Sequence, residues 1–415
     1  MKKRIYICGA VVAAVLILVL ALLPRDQQDS TPTTDAPTAP SATTPEEKGK
    51  VVIYQCDPQL AAAWKALAQS YTAQTGIPVT IVSDTSGSCD DLPGRMESDN
   101  APTVFCLHSR EDLKKWQSAC LDLTGSAIAN ALCSQDFALK TDGGIWGVAA
   151  NVESYGLICN TNLLARAGYT EGDIETFTQL KNIVQLITAS KKEFGFSAFA
   201  TPNLGNTGHG SLLCLLAGLR HDPIALRTFW DLYSTNCSSP AASLIGNADN
   251  SAYQEFLQDK AVFFLGGTWL YDEFAEMDDY NLRILPVYTD DEHQDLGLYS
   301  HCTAYWCVNA ASKELDQQAS LDFLAWLVTA QAEQAAPVDD LKMLSPYRDA
   351  AFAANPLEAV VREYMRNERA GIEWRDCDAL SKDKLAAFGQ ALAAYAAAPD
   401  DAKWDAVLQI LSTAE

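Results

Sequence analysis

The sequence is short of basic residues: 30 Lys and Arg stand against 53 Asp and Glu, a formal net charge of −23 over 415 residues. Phosphate backbones select basic surfaces, so this balance argues against nucleic acid as a partner and disfavours anionic lipid headgroups. Long apolar runs are also scarce. There is one, which excludes a polytopic membrane protein. Histidine is limited to His108, His209, His221, His293 and His301, and no two have metal-ligand spacing. There is no C-x-x-C pair, P-loop, G-x-G-x-x-G opening a helix, G-x-S-x-G elbow or H-E-x-x-H. No catalytic residue, metal or cofactor is expected, and the chain reads as a non-enzyme. The 48% hydrophobic and 20% charged fractions are those of a packed globular protein, which excludes wholesale disorder.

What is present begins with an export signature. Lys2, Lys3 and Arg4 precede an uncharged run from Ile5 to Leu23, which Pro24 and Arg25 close. That length is close to the roughly 20 residues needed to cross hydrocarbon as a helix. The basic flank stays inside, so the rest is exported. Small residues suited to cleavage occur only within the run, at Val19-Leu20-Ala21, so residues 1–25 read as an uncleaved N-terminal transmembrane helix rather than a removed signal peptide. The expected location is the outer face of the cell membrane, tethered there, or secreted if the segment is cut. Residues 26–50, with four prolines, six threonines and no large apolar residue, read as a disordered linker. The 365 residues that follow are long for a single core, so two lobes are expected.

The first part of that segment alternates strand and helix. Val51–Tyr54 reads as a buried strand. Leu60, Trp64, Leu67 and Tyr71 make one helical face, ended by Gly76. Val79–Val82 and Thr103–Leu107 read as the next strands. Strands joined by helices imply a parallel, doubly wound sheet whose ligands sit beyond the strand C-termini. That places Asp57, Ser86, Ser88, Asp90 and Arg110 among the candidates for a cleft. Later strands are expected at 195–200, 261–265, 282–285 and 303–308. Helices are expected at 174–190, 208–219, 222–233, 251–259, 314–329, 356–367, 382–397 and 400–412.

Cysteine use is less readable. Eleven of the 12 cysteines follow the apolar run, an odd number, so at least one is unpaired within the chain. Cys56 and Cys89 fall just past strand ends and are placed to bridge. Cys120 and Cys133 could close a short loop. Cys106, Cys159 and Cys214 lie in apolar runs and read as small buried hydrophobes. Among the aromatics, Gly266-Gly267-Thr268-Trp269 sets a tryptophan directly after an apolar strand, with two glycines that permit a sharp turn and close approach. Packing at the strand end and a cleft-facing ring are equally open readings of Trp269 on this pattern.

Four stretches in order resemble the extracellular solute-binding proteins of ABC importers, in the carbohydrate-associated family typified by maltose-binding protein. They are VVIYQCDPQLAAAWKALAQSYTAQTGIPVTIVS from Val51, IWGVAANVESYGLICNTNLL from Ile145, KAVFFLGGTWLYDEF from Lys260 and VNAASKELDQQASLDFLAWL from Val308. The resemblance, which extends to WDAVLQIL near the C-terminus, implies a two-lobed periplasmic-binding-protein-like type II α/β fold. Lobe 1 would comprise 51–154 with 304–346, and lobe 2 would comprise 155–303 with 347–415. Crossovers are expected near 152–160, 298–305 and 343–349. It further implies that Glu153 matches a carboxylate accepting hydrogen bonds from sugar hydroxyls, and Trp269 an aromatic stacked on a sugar face. Ala149 and Cys159 depart from the family's usual proline and tyrosine. Phe105-Cys106-Leu107-His108 and Leu385-Ala386-Ala387-Phe388 lack the stacking residues of maltodextrin binders, so maltodextrin is not supported.

The function so implied is capture of a small solute, with sugar favoured, in an interlobe cleft. Hinge closure and delivery to ABC permease subunits would follow, by a monomer. The competing classes are a ligand-sensing ectodomain and an anchored hydrolase using cleft carboxylates. Within binding, the acidic balance keeps cationic solutes as an alternative.

Overall fold

In the computed structural model, the described residues are 48–412 apart from 57, 85–88, 208–210, 240–243, 246–250, 271–273, 275–280, 290, 292–297, 330–344, 349–355, 367–371 and 374–379. β1 (Val51–Gln55) is buried along its whole length, as a strand covered on both faces must be. α1 (Ala61–Thr75) buries Trp64, Leu67, Ala68 and Tyr71, the stripe expected from helical spacing. It ends at Gly76, whose left-handed φ of 72° lets its N–H reach the Thr72 carbonyl. β2 (Val79–Ser83) then pairs parallel with β1, and β3 (Val104–Leu107) takes the other side.

The parallel order stops there. β4 (Ala138–Thr141) turns back into β5 (Gly144–Asn160), a strand of 17 residues. β6 (Ser197–Phe199) lies parallel to β7 (Ala261–Gly267), and β8 (Leu282–Leu285), β9 (Tyr299–Val308) and β10 (Ile372–Glu373) complete the strands. The sheet order is β2-β1-β3-β9-β5-β7-β6, with β4 and β8 also on β5 and β10 on β9. β9 runs antiparallel to β3 and to β5, and β5 antiparallel to β7 and β8. The expected parallel sheet is therefore corrected to a mixed one. A chain that crosses from one end of a sheet to the other on one strand, and returns on another, must do so in opposite directions.

β5 is shared between two strand sets. Its first half lies between β4 and β9, and its second half between β7 and β8. Tyr155 is the point of exchange, paired to Tyr299 of β9 and to Gly267 of β7. Two large cores lie against the sheet, and alternate residues in the second half of β5 enter opposite ones, Ile158 joining the first and Tyr155, Leu157 and Cys159 the second. Trp64, Tyr71, Val148, Val152, Trp306 and Phe323 belong to one, in which Trp64 meets Trp306 edge-on. Tyr155, Leu157, Phe199, Trp230, Tyr233, Phe263 and Tyr395 belong to a second. A smaller cluster of Tyr54, Phe105, Leu107, Leu113 and Cys307 covers the other side of β1 and β3. The result is a mixed α/β fold of two lobes.

The expected N-terminal transmembrane helix is corrected. Among the described residues no helix is long and apolar enough to cross a membrane, and the run 5–23 lies outside them. The fold of the described residues is the two-lobed α/β fold. A membrane partner through that helix and a tethered location are both withdrawn. The described residues start at Lys48, whose Nζ donates to the Thr75 carbonyl at 2.6 Å. Lys50 follows, its N–H on Asp316 Oδ1 at 2.8 Å.

One buried hydroxyl ties strands and helix together. Thr103 Oγ1 accepts from Val52 N at 3.0 Å and from Ser320 Oγ at 2.7 Å. Ser320 lies on α2 (Glu314–Leu327). Thr103→Val keeps the shape but strands the buried Val52 N–H, while the Ser320 hydroxyl keeps the Asp316 carbonyl at 2.8 Å, so it should lower unfolding free energy by about 1–3 kcal/mol, read from urea denaturation. Gly156→Ala should cost about 1–3 kcal/mol by overpacking. A Cβ there would meet the Leu285 carbonyl oxygen and come within 2.9 Å of Leu298 Cδ2, and backbone cannot move aside as a side chain can.

Candidate functional site

Two compensating bulges mark where β5 and β9 pass between the lobes. The register runs Ala149↔Tyr305, Asn151↔Ala304, Val152↔Cys302. Ala150 on one strand and Thr303 on the other are extra residues, so the pairing before and after is the same. Bulges bend and twist a ladder, and two opposed ones bend it without sliding its register. Thr303 is held on both sides. Its Oγ1 accepts from Asn151 Nδ2 at 3.1 Å and its carbonyl from His108 Nδ1 at 2.9 Å.

Solvent reaches the ladder there. From Gly147 to Asn160, only Asn151 and Glu153 are less than fully buried, and on β9 the stretch from His301 to Tyr305 is half-buried. A carboxylate-bearing side chain in an otherwise buried strand marks an opening rather than a core position.

Beyond the bulges, register fixes which side chains share a face. Residues directly opposite on an antiparallel pair point to the same side, and alternate residues repeat it. Glu153 faces His301, and Tyr155 faces Tyr299 and Gly267. This one face of β5, β7 and β9 therefore carries Glu153, His301, Tyr155 and Tyr299. Ser154 and Ser300 take the opposite face, their hydroxyls 2.6 Å apart and buried.

Trp269 joins the same face from the end of β7. Thr268–Leu270 form a single 3-10 turn, in which buried Thr268 accepts the Ser154 N–H on Oγ1 at 3.3 Å. Thr268 therefore docks the turn to β5. The Trp269 ring lies over Gly267, where a Cβ would overlap it, and its centroid is 5.9 Å from that of Tyr155 at an interplanar angle of 35°. Trp269 is half-buried. Burial pushes the Tyr299 phenol up to about 12 and that of Tyr155 well above its ordinary value, so both are neutral hydroxyls at physiological pH. The face thus offers a carboxylate, an imidazole, neutral phenols and an accessible indole. That set supplies directional hydrogen bonds together with apolar area.

Of the residues singled out in the sequence, Glu153 and Trp269 are brought onto this face. Arg110 is not: it opens the exposed start of the helix Arg110–Trp116 beyond β3. Asp90 is exposed beside Cys89. Asp57, Ser86 and Ser88 lie outside the described residues. Tyr155, Tyr299, His301, Asn151 and His108 were not singled out as site residues. Tyr155 could have been found as the residue two beyond Glu153 on a strand. The rest need the β5–β9 register.

The comparisons follow from this geometry. Residues 66–359 match the family model described as bacterial extracellular solute-binding protein. No curated protein sequence matches. Among solved structures, a family 1 extracellular solute-binding protein from Bifidobacterium longum subsp. infantis has a TM-score of 0.65 at 18% identity, covering 89% of this chain and 99% of its own. Apo RafE from Streptococcus pneumoniae has a TM-score of 0.66 at 12% identity, with the same 89% and 99% coverage. The cyclic alpha-maltosyl-1,6-maltose binding protein from Arthrobacter globiformis has a TM-score of 0.62 at 18% identity, again with 89% and 99% coverage. At these identities the likeness is one of fold. The family match covers well over half the chain, and the chain belongs to the bacterial extracellular solute-binding proteins, a non-catalytic family.

Proposed function

We propose that this solute-binding protein captures a carbohydrate between its lobes, on the face that carries Glu153, Tyr155, Tyr299, His301 and Trp269, and delivers it to an ABC importer. The observation that carries the sugar reading is the pairing of a half-exposed carboxylate with an accessible indole on one face. Sugars present hydroxyls and an apolar C–H face together, and these two groups answer both. The name of the Arthrobacter relative, a cyclic alpha-maltosyl-1,6-maltose binding protein, is in keeping with this class of ligand. Lobe 1 is taken as 51–154 with 304–346 and lobe 2 as 155–303 with 347–415. The exchange of β5 partners at Tyr155 supports that division. The bulged segment at Ala150 and Thr303 is the hinge. A sugar held more tightly by the closed arrangement shifts the population toward it, and the permease reads the closed form.

A thermal-shift panel tests this with neutral mono- and oligosaccharides, polyamines and amino acids. A sugar at 100 times its dissociation constant should add about 2.7 kcal/mol to stability, a clear rise in midpoint. Trp269→Ala should abolish the shift at the same concentration. Stabilisation by polyamines alone, or a sugar shift indifferent to Trp269→Ala, would overturn the reading. Glu153→Gln keeps shape and removes charge; it should weaken sugar affinity about tenfold, because hydrogen bonds to a charged acceptor are worth roughly 1.5–3 kcal/mol. Isothermal titration calorimetry reads that loss.

A further inference from the structure

The loops beyond β1, β2 and β3 gather a second group of side chains, apart from the Glu153–Trp269 face. Cys56 and Cys89 are joined as a disulfide with Cα atoms 5.4 Å apart. His108 Nε2 lies 4.0 Å from Cys89 Sγ. The two sulfurs and one His108 ring nitrogen all fall within 4.8 Å of one another. We infer that, once the disulfide is reduced, Cys56, Cys89 and His108 form a three-ligand site for a borderline divalent cation of the zinc class.

The orientation of the imidazole supports this. The Thr303 carbonyl can only accept, so the 2.9 Å contact to His108 Nδ1 requires that nitrogen to carry the proton. In the neutral ring Nε2 then holds the lone pair, and it is the atom directed at Cys89. A backbone carbonyl fixing the distal ring nitrogen is the usual support of a metal-binding histidine. The loop is also pinned: His108 N donates to Asp112 Oδ2 at 3.1 Å, and Ser109 Oγ accepts from Asp112 N at 3.1 Å. Cys89 is held as firmly. Its N–H donates to buried Asp84 Oδ2 at 2.8 Å, and its φ is 58°, a left-handed conformation that an L residue keeps only when its surroundings impose it. Two thiolates about 2.3 Å from a tetrahedral ion lie roughly 3.8 Å apart, a separation that side chains on Cα atoms at this spacing can reach by rotation. Cys56 and Cys89 are partly exposed and His108 is exposed, so a cation has access.

The chemistry balances with a dithiol as reductant. It gives two electrons and two protons to the Cys56–Cys89 bond, which becomes two thiols, and closes to its own disulfide. Both thiols then release their protons to solvent as the cation binds, and water completes the tetrahedron. The nearby thiols Cys106 and Cys307 are unlike these two. Neither belongs to the cluster in which the two sulfurs and the His108 ring nitrogen fall within 4.8 Å of one another.

The experiment uses the full chain, reduced with a phosphine so that no added thiol competes, then titrated with Co2+ under argon. The expected result is one Co2+ per chain, a thiolate-to-cobalt charge-transfer band, displacement by Zn2+ and an unchanged far-UV circular dichroism spectrum. The oxidised chain should show none of the binding. The reduced Cys56→Ser/Cys89→Ser variant should also lose it. His108→Ala, which leaves the cysteine pair intact and so does not depend on the double variant folding, should weaken binding tenfold or more. No charge-transfer band in the reduced chain, loss of the fold on reduction, the same band in the double variant, or affinity indifferent to His108→Ala would each overturn the inference. A Trp269→Ala chain should bind Co2+ as the wild type does, which separates this result from that of the solute site.

Discussion

Everything on the functional face depends on the ladder between β5 and β9. β5 is buried on both faces, so its side chains are committed to two cores at once: Val148, Val152 and Ile158 to one, Tyr155, Leu157 and Cys159 to the other. A strand under that constraint cannot slip, because a shift of one residue would exchange its two faces and send each side chain into the wrong core. The paired bulges at Ala150 and Thr303 reconcile this with bending. Each strand gains one residue, the register beyond is conserved, and the ladder can kink while both cores stay in place. If this segment is the hinge proposed above, lobe closure need not unpack either core.

The same ladder positions the chemistry. Because β5 is buried from Gly147 to Asn160 except at Asn151 and Glu153, the opening in the sheet is narrow and falls at the bend. Trp269 is brought to it by absences as much as by contacts: Gly267 has no side chain, so the indole can lie flat against the strand end. Thr268, locked to Ser154, denies the turn any freedom to swing the ring away. The indole is therefore fixed in place, and under the proposed function binding would not need to order it.

Much of the fold was legible in the sequence, for reasons that differ by element. β1, α1 and β2 carry local signals strong enough to survive tertiary packing: a fully apolar run, a one-sided stripe, a glycine at the helix end. The C-terminal helices Lys382–Ala397 and Asp401–Ser412 fall where periodicity placed them. β5 was not read as one long strand, since VAANVESYGL mixes small, polar and aromatic residues without alternation. Its burial on two faces erases the period-two pattern on which such a reading relies. The parallel sheet failed because strand direction is a property of chain topology, and no local signal carries it. Of the site, Glu153 and Trp269 came through family resemblance, and the pattern at Gly266–Trp269 left packing and cleft equally open. His301 and Tyr299 were invisible because they belong to the site only through their partners across the ladder.

The cysteines show the limit of the same logic and what geometry adds to it. Cys56 and Cys89 could be paired in outline because both follow strands that turn out to be parallel neighbours, Gln55 beside Ser83. Cys120, by contrast, donates its thiol toward the Trp116 carbonyl at 3.3 Å and is unbridged, so the short loop to Cys133 does not close. Spacing alone suggested both bridges equally. What separates them is whether the backbone holds two Cβ vectors face to face, and among the described residues the loops beyond the adjacent parallel strands β1 and β2 do so. His108 enters the same neighbourhood from the third strand of that set, and its carbonyl partner is Thr303, the bulged residue of β9. The strand-end loops and the bend in the ladder are thus in direct hydrogen-bond contact.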